Sequence, residues 1–209
     1  MSRQELLDHG LASLGLDLPP AARQQLLAYA ELLLKWNKVY NLTAIREPDQ
    51  VITHHLLDSL TALPHLAGIA TLADVGSGGG LPGIPLAIAR PDLQVISIET
   101  VNKKASFQQQ ARIELGLANF EPRCARVEQV KPELPFDAVI SRAFSDLADF
   151  VACTGHLIGP EGCLFAMKGV YPQEEIAALP PGWRVAESMA LQVPGLDAQR
   201  HLLVLKRNP

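Results

Sequence analysis

Cysteine is scarce in this chain. Only Cys124, Cys153 and Cys163 occur, an odd number with no Cys-x-x-Cys pair, which argues against both a disulfide framework and a zinc site. Reduced thiols in a cytoplasmic protein are the simplest account. Long apolar runs are missing as well. None approaches the roughly 20 residues that a spanning helix needs, and the N-terminus carries no basic-then-apolar signal, so no membrane partner is expected. Positive charge is also in short supply: 18 Lys and Arg stand against 22 Asp and Glu, for a net charge of −4. Proteins that grip free nucleic acid through its phosphates are usually strongly basic, and this composition does not advertise RNA or DNA. Only between residues 102 and 126 do cations prevail, with Lys103, Lys104, Arg112, Arg123 and Arg126 against Glu114 and Glu121. A run of that size usually marks a solvated face.

Apolar residues make up 48% of the 209, enough for one sizeable domain and a small appendage. The first 68 residues read as helical. Ser2 and Glu5 fit a capping box ahead of Leu6, Leu7, Leu11 and Leu14, and Gly15 stops that helix. Pro19 and Pro20 open a second, whose stripe of Leu26, Leu27, Ala30, Leu33 and Leu34 predicts an end near Trp36. A third follows Pro48, with Ile52, Leu56, Leu60 and Leu63 inward. From residue 71 the pattern changes to alternating strands and helices: strands at Thr71 to Val75, Gln94 to Ile98, Phe120 to Cys124, Phe136 to Ile140, Cys163 to Met167, Trp183 to Leu191 and His201 to Lys206. Helices are expected at Gly83 to Ala89, Asn102 to Leu115 and Asp146 to Leu157. The grammar is that of a doubly wound, Rossmann-like α/β sheet with antiparallel strands at its end and a helical N-terminal extension.

The organising stretch is Thr71 to Pro85. A short apolar strand ends in Asp74-Val75, breaks into Gly76, Gly78, Gly79 and Gly80, and resumes as a helix with Pro82 and Pro85 in its first turn. Glycines at that spacing bring backbone close to a ligand, and the following helix points unpaired amides at it. Dinucleotides prefer Gly-x-Gly-x-x-Gly. Here the order is Gly-x-Gly-x-Gly with Asp74 two residues ahead, which suits a ligand bearing cations, such as S-adenosylmethionine with its ammonium and sulfonium. Glu99, about 20 residues on at the end of the second strand, stands where a carboxylate accepts hydrogen bonds from ribose hydroxyls.

Several further blocks carry polar residues in unusual company. Lys35, Trp36, Asn37, Lys38, Tyr40 and Asn41 mix cations, aromatics and amides. Such a mixture stacks on bases and holds phosphates; equally, Trp36 and Tyr40 cement the helical part to the next domain while Asn37 and Asn41 cap ends. His54, His55 and Asp58 lack the spacing of a metal site and read as a hydrogen-bonded helix surface. Arg142 faces a cofactor carboxylate, an RNA phosphate or guanine O6, or else pairs with Asp74 or Glu128. Lys168 either touches phosphate or snorkels at the surface.

The blocks Lys35-Trp36-Asn37, Tyr40-Asn41-Leu42-Thr43, His55-Leu56-Leu57-Asp58-Ser59, Asp74 to Pro85, Ile140-Ser141-Arg142-Ala143-Phe144 and Lys168-Gly169, in order over nearly the whole length, resemble the bacterial small-subunit ribosomal RNA methyltransferase G family, also called glucose-inhibited division protein B. The resemblance implies residues 1–68 as a helical N-terminal region and 69–209 as a class I S-adenosylmethionine-binding domain. It implies methyl transfer to guanine N7 in the 530 loop of 16S ribosomal RNA, probed within the small ribosomal subunit by a monomer. By the same resemblance Gly76 and Leu81 line the cofactor pocket, Val127 and Glu128 contact the adenine and Arg142 closes the site; with Asp74, Gly78, Gly80 and Glu99 from the loop and second strand these are the expected cofactor-binding residues. Lys35, Trp36, Asn37, Asn41, His55, Asp58 and Lys168 are the candidates to face RNA. The family's pattern often has Pro or Ala where this chain has Gly79. No catalytic acid or base is expected, since N7 carries a lone pair and no proton. The competing readings are a methyltransferase for a small molecule or a protein, which the acidic charge suits, and a non-catalytic nucleotide-sensing RNA-binding module.

Overall fold

Ser2 caps the first helix, α1 (Arg3–Ser13), through the reciprocal box its spacing with Glu5 predicts: Ser2 Oγ accepts from Glu5 N and Ser2 N donates to Glu5 Oε2. The computed structural model describes residues 1–142 and 144–208; Ala143 and Pro209 lie outside the described residues. The second helix, α2 (Pro20–Tyr40), opens on its prolines and runs one turn beyond the end predicted at Trp36. The Lys35 to Tyr40 segment is therefore helix. Asn41 stops it in the left-handed conformation at φ 49°, a geometry that asparagine tolerates better than most residues.

The helix after Pro48 is continuous but not uniform. It begins as α3 (Pro48–Val51), widens into a π-helical turn over Ile52–Leu57, and closes as α4 (Asp58–Leu60). Wide turns of this kind recur at functional sites. Ile52, Leu56 and Leu60 face inward as the spacing predicts, and His55 and Asp58 are buried with them.

Seven strands follow: β1 (Thr71–Val75), β2 (Gln94–Glu99), β3 (Phe120–Cys124), β4 (Phe136–Arg142), β5 (Ile158–Lys168), β6 (Trp183–Leu191) and β7 (Arg200–Arg207), in the order β3-β2-β1-β4-β5-β7-β6. The helices between them are α5 (Gly83–Ala89), α6 (Asn102–Leu115), α7 (Leu147–Thr154) and the short α8 (Gln173–Ala177). The first five strands pair in parallel. The sheet ends in antiparallel pairing as expected: β7 runs against both its neighbours, β5 and β6. Strand β5 begins five residues earlier than predicted because Ile158 pairs with Phe136 across an irregular register. Helix α7 stops at Thr154, followed by a 3-10 turn over Gly155–Leu157.

Alternation along the strands sends side chains to two cores. On one face Leu72, Val95, Ala138, Ile140, Phe165 and Val204 share a cluster with Phe107 of α6 and with Leu7, Leu11, Leu26, Leu33, Leu56 and Leu60 of the N-terminal helices. On the other, Ala73, Val75, Ile98, Val139, Leu164 and Leu203 pack on Phe150 and Val151 of α7. Parallel pairing aligns the carboxyl ends of β1, β2, β4 and β5 at one edge of the sheet, and the reversal of β7 brings its first residues, Arg200 and His201, to that edge. Ligands of open α/β sheets bind outside this edge.

Candidate functional site

The glycine loop leaves β1 at Val75 and enters α5 at Gly83. Gly76, Gly78 and Gly80 adopt φ of 70°, 58° and 87°, a region that costs an L side chain strain but costs glycine little. A ring of buried hydroxyl and amide groups fixes the loop. Ser77 Oγ meets Ser97 Oγ at 2.5 Å, Ser97 Oγ donates to Gln108 Oε1 at 2.6 Å, and Gln108 Nε2 donates to Ser77 Oγ and to the Gly78 carbonyl, both at 2.8 Å. The ring ties the loop to β2 and α6 with every member satisfied. Tyr29 of α2 adds a fourth anchor, its hydroxyl donating to the Gly79 carbonyl at 2.6 Å. Desolvation of the fully buried phenol pushes its pKa up, so it stays a donor.

Asp74 is fully buried, and its Oδ2 accepts from Gly83 N at 2.7 Å, clasping the start of α5. Oδ1 has no hydrogen-bond partner among the described residues. Burial, with a smaller opposing contribution from the Gly83 bond, raises its pKa to about 7. Glu99 sits at the end of β2, where Oε2 accepts from Gly78 N at 2.8 Å and Oε1 from Val101 N at 2.9 Å. Oε1 also lies 3.5 Å from the Thr100 hydroxyl, while Oε2 keeps a second lone pair for a ligand hydroxyl. Val127 and Glu128 lie in the 3-10 turn after β3, and Leu81 is buried beside the loop. Positive-φ glycines, the carboxylate of Glu99 and that turn, all at the carboxyl edge, match an adenosine-bearing ligand.

A second group gathers where β4, β5 and β7 meet the N-terminal helices. Arg142 pairs with neither Asp74 nor Glu128. Its Nη1 donates to Asp58 Oδ2 at 2.9 Å and to the His54 carbonyl at 3.0 Å. On the other oxygen of the same carboxylate, Arg200 Nε donates to Asp58 Oδ1 at 3.0 Å. Arg142 Nη2 lies 3.3 Å from His55 Nδ1, which also lies 3.1 Å from the His54 carbonyl, while Nε2 meets Thr43 Oγ1 at 2.7 Å. Burial, then the Arg142 charge, push the His55 pKa down to about 4 and hold the ring neutral. His55 and Asp58 thus serve an ion-pair network, not the helix surface their spacing predicted. Arg200 carried no motif in the sequence and went unnoticed there.

The remaining candidates are dispersed. Asn37 is buried and spent on the chain itself, donating to the Ile45 carbonyl and accepting from Thr43 N. Asn41 Oδ1 accepts from Arg46 Nη2. Trp36 packs edge-on against Phe107 at 5.6 Å and beside Tyr40 at 5.1 Å between centroids, which is the cementing alternative. Lys35 is exposed. Lys168 neither snorkels nor stands free: Nζ meets Glu175 Oε2 at 2.7 Å, and the same carboxylate oxygen accepts from Leu147 N, joining α8 to α7 and β5.

Among solved structures, the mitomycin 7-O-methyltransferase MmcR superposes with a TM-score of 0.63 at 16% identity over 91% of this chain and 69% of that one. TrmN from Thermus thermophilus gives 0.58 at 19% identity over 75% and 53%. At such identities the likeness establishes the fold, the Rossmann-like class I methyltransferase sheet. Closer in sequence, the ribosomal RNA small subunit methyltransferase G of Azoarcus sp. (strain BH72) is 68% identical over 96% of this chain and 95% of its own length. That of Neisseria meningitidis serogroup C (strain FAM18) is 54% identical over 99% and 100%. The family model described as rRNA small subunit methyltransferase G matches residues 22–203. This chain belongs to the rRNA small subunit methyltransferase G family.

Proposed function

We propose that the protein transfers a methyl group from S-adenosylmethionine to N7 of a guanosine in the 530 loop of 16S ribosomal RNA. The observation that carries this reading is the coincidence of family membership over residues 22–203 with a glycine loop whose Gly78 amide is held by Glu99. The donor supplies a methyl carbon activated by a sulfonium. Glu99 would accept hydrogen bonds from the ribose hydroxyls, Gly76, Gly78 and Leu81 would line the pocket, and Val127 and Glu128 would flank the adenine.

Guanine N7 bears an in-plane lone pair and no proton, so the chain needs no general base. Its task is to hold nucleophile, methyl carbon and leaving sulfur in line, an effect that contributes roughly 7 to 11 kcal/mol in favourable cases. The structure is consistent with that division of labour: the loop is immobilised by Tyr29, Ser77, Ser97 and Gln108. Residues 1–68 form the helical region that orients RNA, and 69–209 the donor-binding domain. The protein acts in the cytoplasm as a monomer on the small subunit, where an organised surface read through shape demands fewer phosphate contacts than naked RNA; this accommodates the net charge of −4.

Incubation of the protein with labelled donor and undermethylated small subunits, followed by mapping of N7-methylguanosine, tests the proposal. Label at a single guanosine of the 530 loop is the expected result. Transfer to a metabolite or protein, with none to the subunits, would overturn it.

A further inference from the structure

The network around Asp58 occupies one wall of a cleft of about 520 Å³, lined among others by His54, Asp58, Arg142, Lys168, Arg200 and His201. No residue of the glycine loop and neither Glu99, Val127 nor Glu128 lines it; of the residues expected to hold the donor only Arg142 does, so the cleft adjoins the expected donor pocket at the carboxyl edge of the sheet. Its charge is unevenly spent. Lys168 is neutralised by Glu175 at 2.7 Å, and His55 is neutral. Asp58, 3% exposed at its side chain, answers two guanidinia that are 21% and 26% exposed, which leaves one net positive charge on the pair. Donor accounting points the same way. Arg142 Nε and Arg200 Nη2 have no partner among the described residues, whereas the other nitrogens are tied to Asp58, His54, His55 and Gln199.

A carboxylate shared between two arginines fixes both planar forks at once. Asp58 arrives from the N-terminal helices, Arg142 from β4 and Arg200 from β7, so the brace joins three distant parts of the chain. Left alone, two guanidinia on strands separated only by β5 would repel and turn toward water. Held by Asp58, both side chains line the cleft, an arrangement that receives an oxyanion.

We infer that Asp58 is a positioning residue which braces Arg142 and Arg200 into a seat for a phosphodiester of the target RNA strand. The inference rests on the RNA-methylation reading above and names the part of the substrate held at that site. The donor's own carboxylate shares the oxyanion chemistry. The absence of glycine-loop residues from the cleft lining favours the phosphate.

Steady-state methylation of undermethylated small subunits by the wild type, Asp58→Asn, Arg200→Lys and Arg200→Ala tests it, with donor affinity measured separately by calorimetry on each protein. Asparagine offers one acceptor oxygen where aspartate offers two, and lysine offers one point contact where arginine offers a fork. All three variants are expected to raise KM for the subunits by at least about tenfold, with donor Kd within about twofold of wild type. Arg200→Ala is expected to lower the slope of log KM against log salt by about one, the loss of one phosphate contact, and a purely structural brace would leave that slope unmoved. Asp58→Asn is expected to keep the slope, since both cations remain. Should Asp58→Asn fail to fold, the two Arg200 variants decide. Unchanged KM in the folded variants overturns the inference, and so does a donor Kd that weakens in step with KM, which would assign the oxyanion to the donor's carboxylate. A wild type that methylates no subunits sinks the underlying reading, a result distinguishable from either.

Discussion

Tyr29 and Gly79 are joined across fifty positions of sequence by a buried bond of 2.6 Å, from phenol hydroxyl to backbone carbonyl. A helix of the N-terminal region thereby holds the loop that shapes the donor pocket. Tyr29→Phe keeps the ring against Phe107, 6.3 Å away between centroids, and deletes only the hydroxyl. The variant is expected to lose about 1 to 2 kcal/mol of stability and to bind S-adenosylmethionine several-fold more weakly. Thermal melting and calorimetry read the two effects separately, and unchanged donor affinity would show that the loop keeps its shape without this anchor.

Two glycines of one loop should respond differently to alanine. A Cβ on Gly83 would meet Asp74 Oδ2 at 2.6 Å and Asp74 Cβ at 3.2 Å, displacing a buried carboxyl that accepts from that residue's own amide. Gly83→Ala is expected to cost about 1 to 3 kcal/mol by overpacking. At Gly79 the nearest atom is the end of the Leu33 side chain at 3.0 Å, which shifts easily, so Gly79→Ala is expected to melt close to wild type. Equal losses in the two variants would contradict this reading.

Glu99 holds two backbone amides at once, one on each oxygen. Glutamine presents an amide N–H₂ to one of them and loses that bond. Glu99→Gln is therefore expected to weaken donor binding by at least about tenfold through loop misplacement, with little change in melting temperature. Calorimetric titration of the donor checks it.

Asp74 and His55 give stability opposite slopes with pH. Asp74 has a folded pKa near 7 against 3.8 unfolded; below 3.8 both states are protonated, and as pH rises toward 7 the unfolded state sheds its proton first, so stability falls. His55 is held near 4 against 6.5 unfolded; as pH drops below 6.5 the unfolded state takes up a proton first, and stability again falls. The two trends partly cancel between about pH 4 and 6.5. Asp74→Asn is expected to unmask the histidine trend, a melting temperature that rises with pH across that window, relative to wild type. His55→Gln is expected to show the reverse. Parallel profiles for wild type and both variants would refute the assignment.

Much of the sheet was legible because its signals are local. The Thr71 to Val75 strand, the glycine break and the Gly83 to Ala89 helix each announce themselves within a few residues, and their predicted bounds match the structure. The end of α2 was misplaced because Lys35, Trp36 and Tyr40 break the leucine stripe without breaking the helix: Trp36 turns to meet Phe107, a partner that lies far along the chain. Helix α8 has no apolar periodicity of its own and depends on Glu175 bonding to Lys168 and Leu147. Around the cleft, the composition suggested which residue types matter but not their partners. Arg142 and Arg200 lie 84 and 142 positions from Asp58, and no spacing rule connects them.

The interior shared by the N-terminal helices and the sheet has a practical consequence for anyone wishing to trim the enzyme. A fragment starting at residue 69 would lay bare Leu72, Ile140 and Phe165 along one side of the sheet and would cut away the anchor on its own glycine loop. Such a fragment is destined for clumping in the test tube rather than for reduced turnover, and the catalytic machinery can be transplanted or recombined only as a whole.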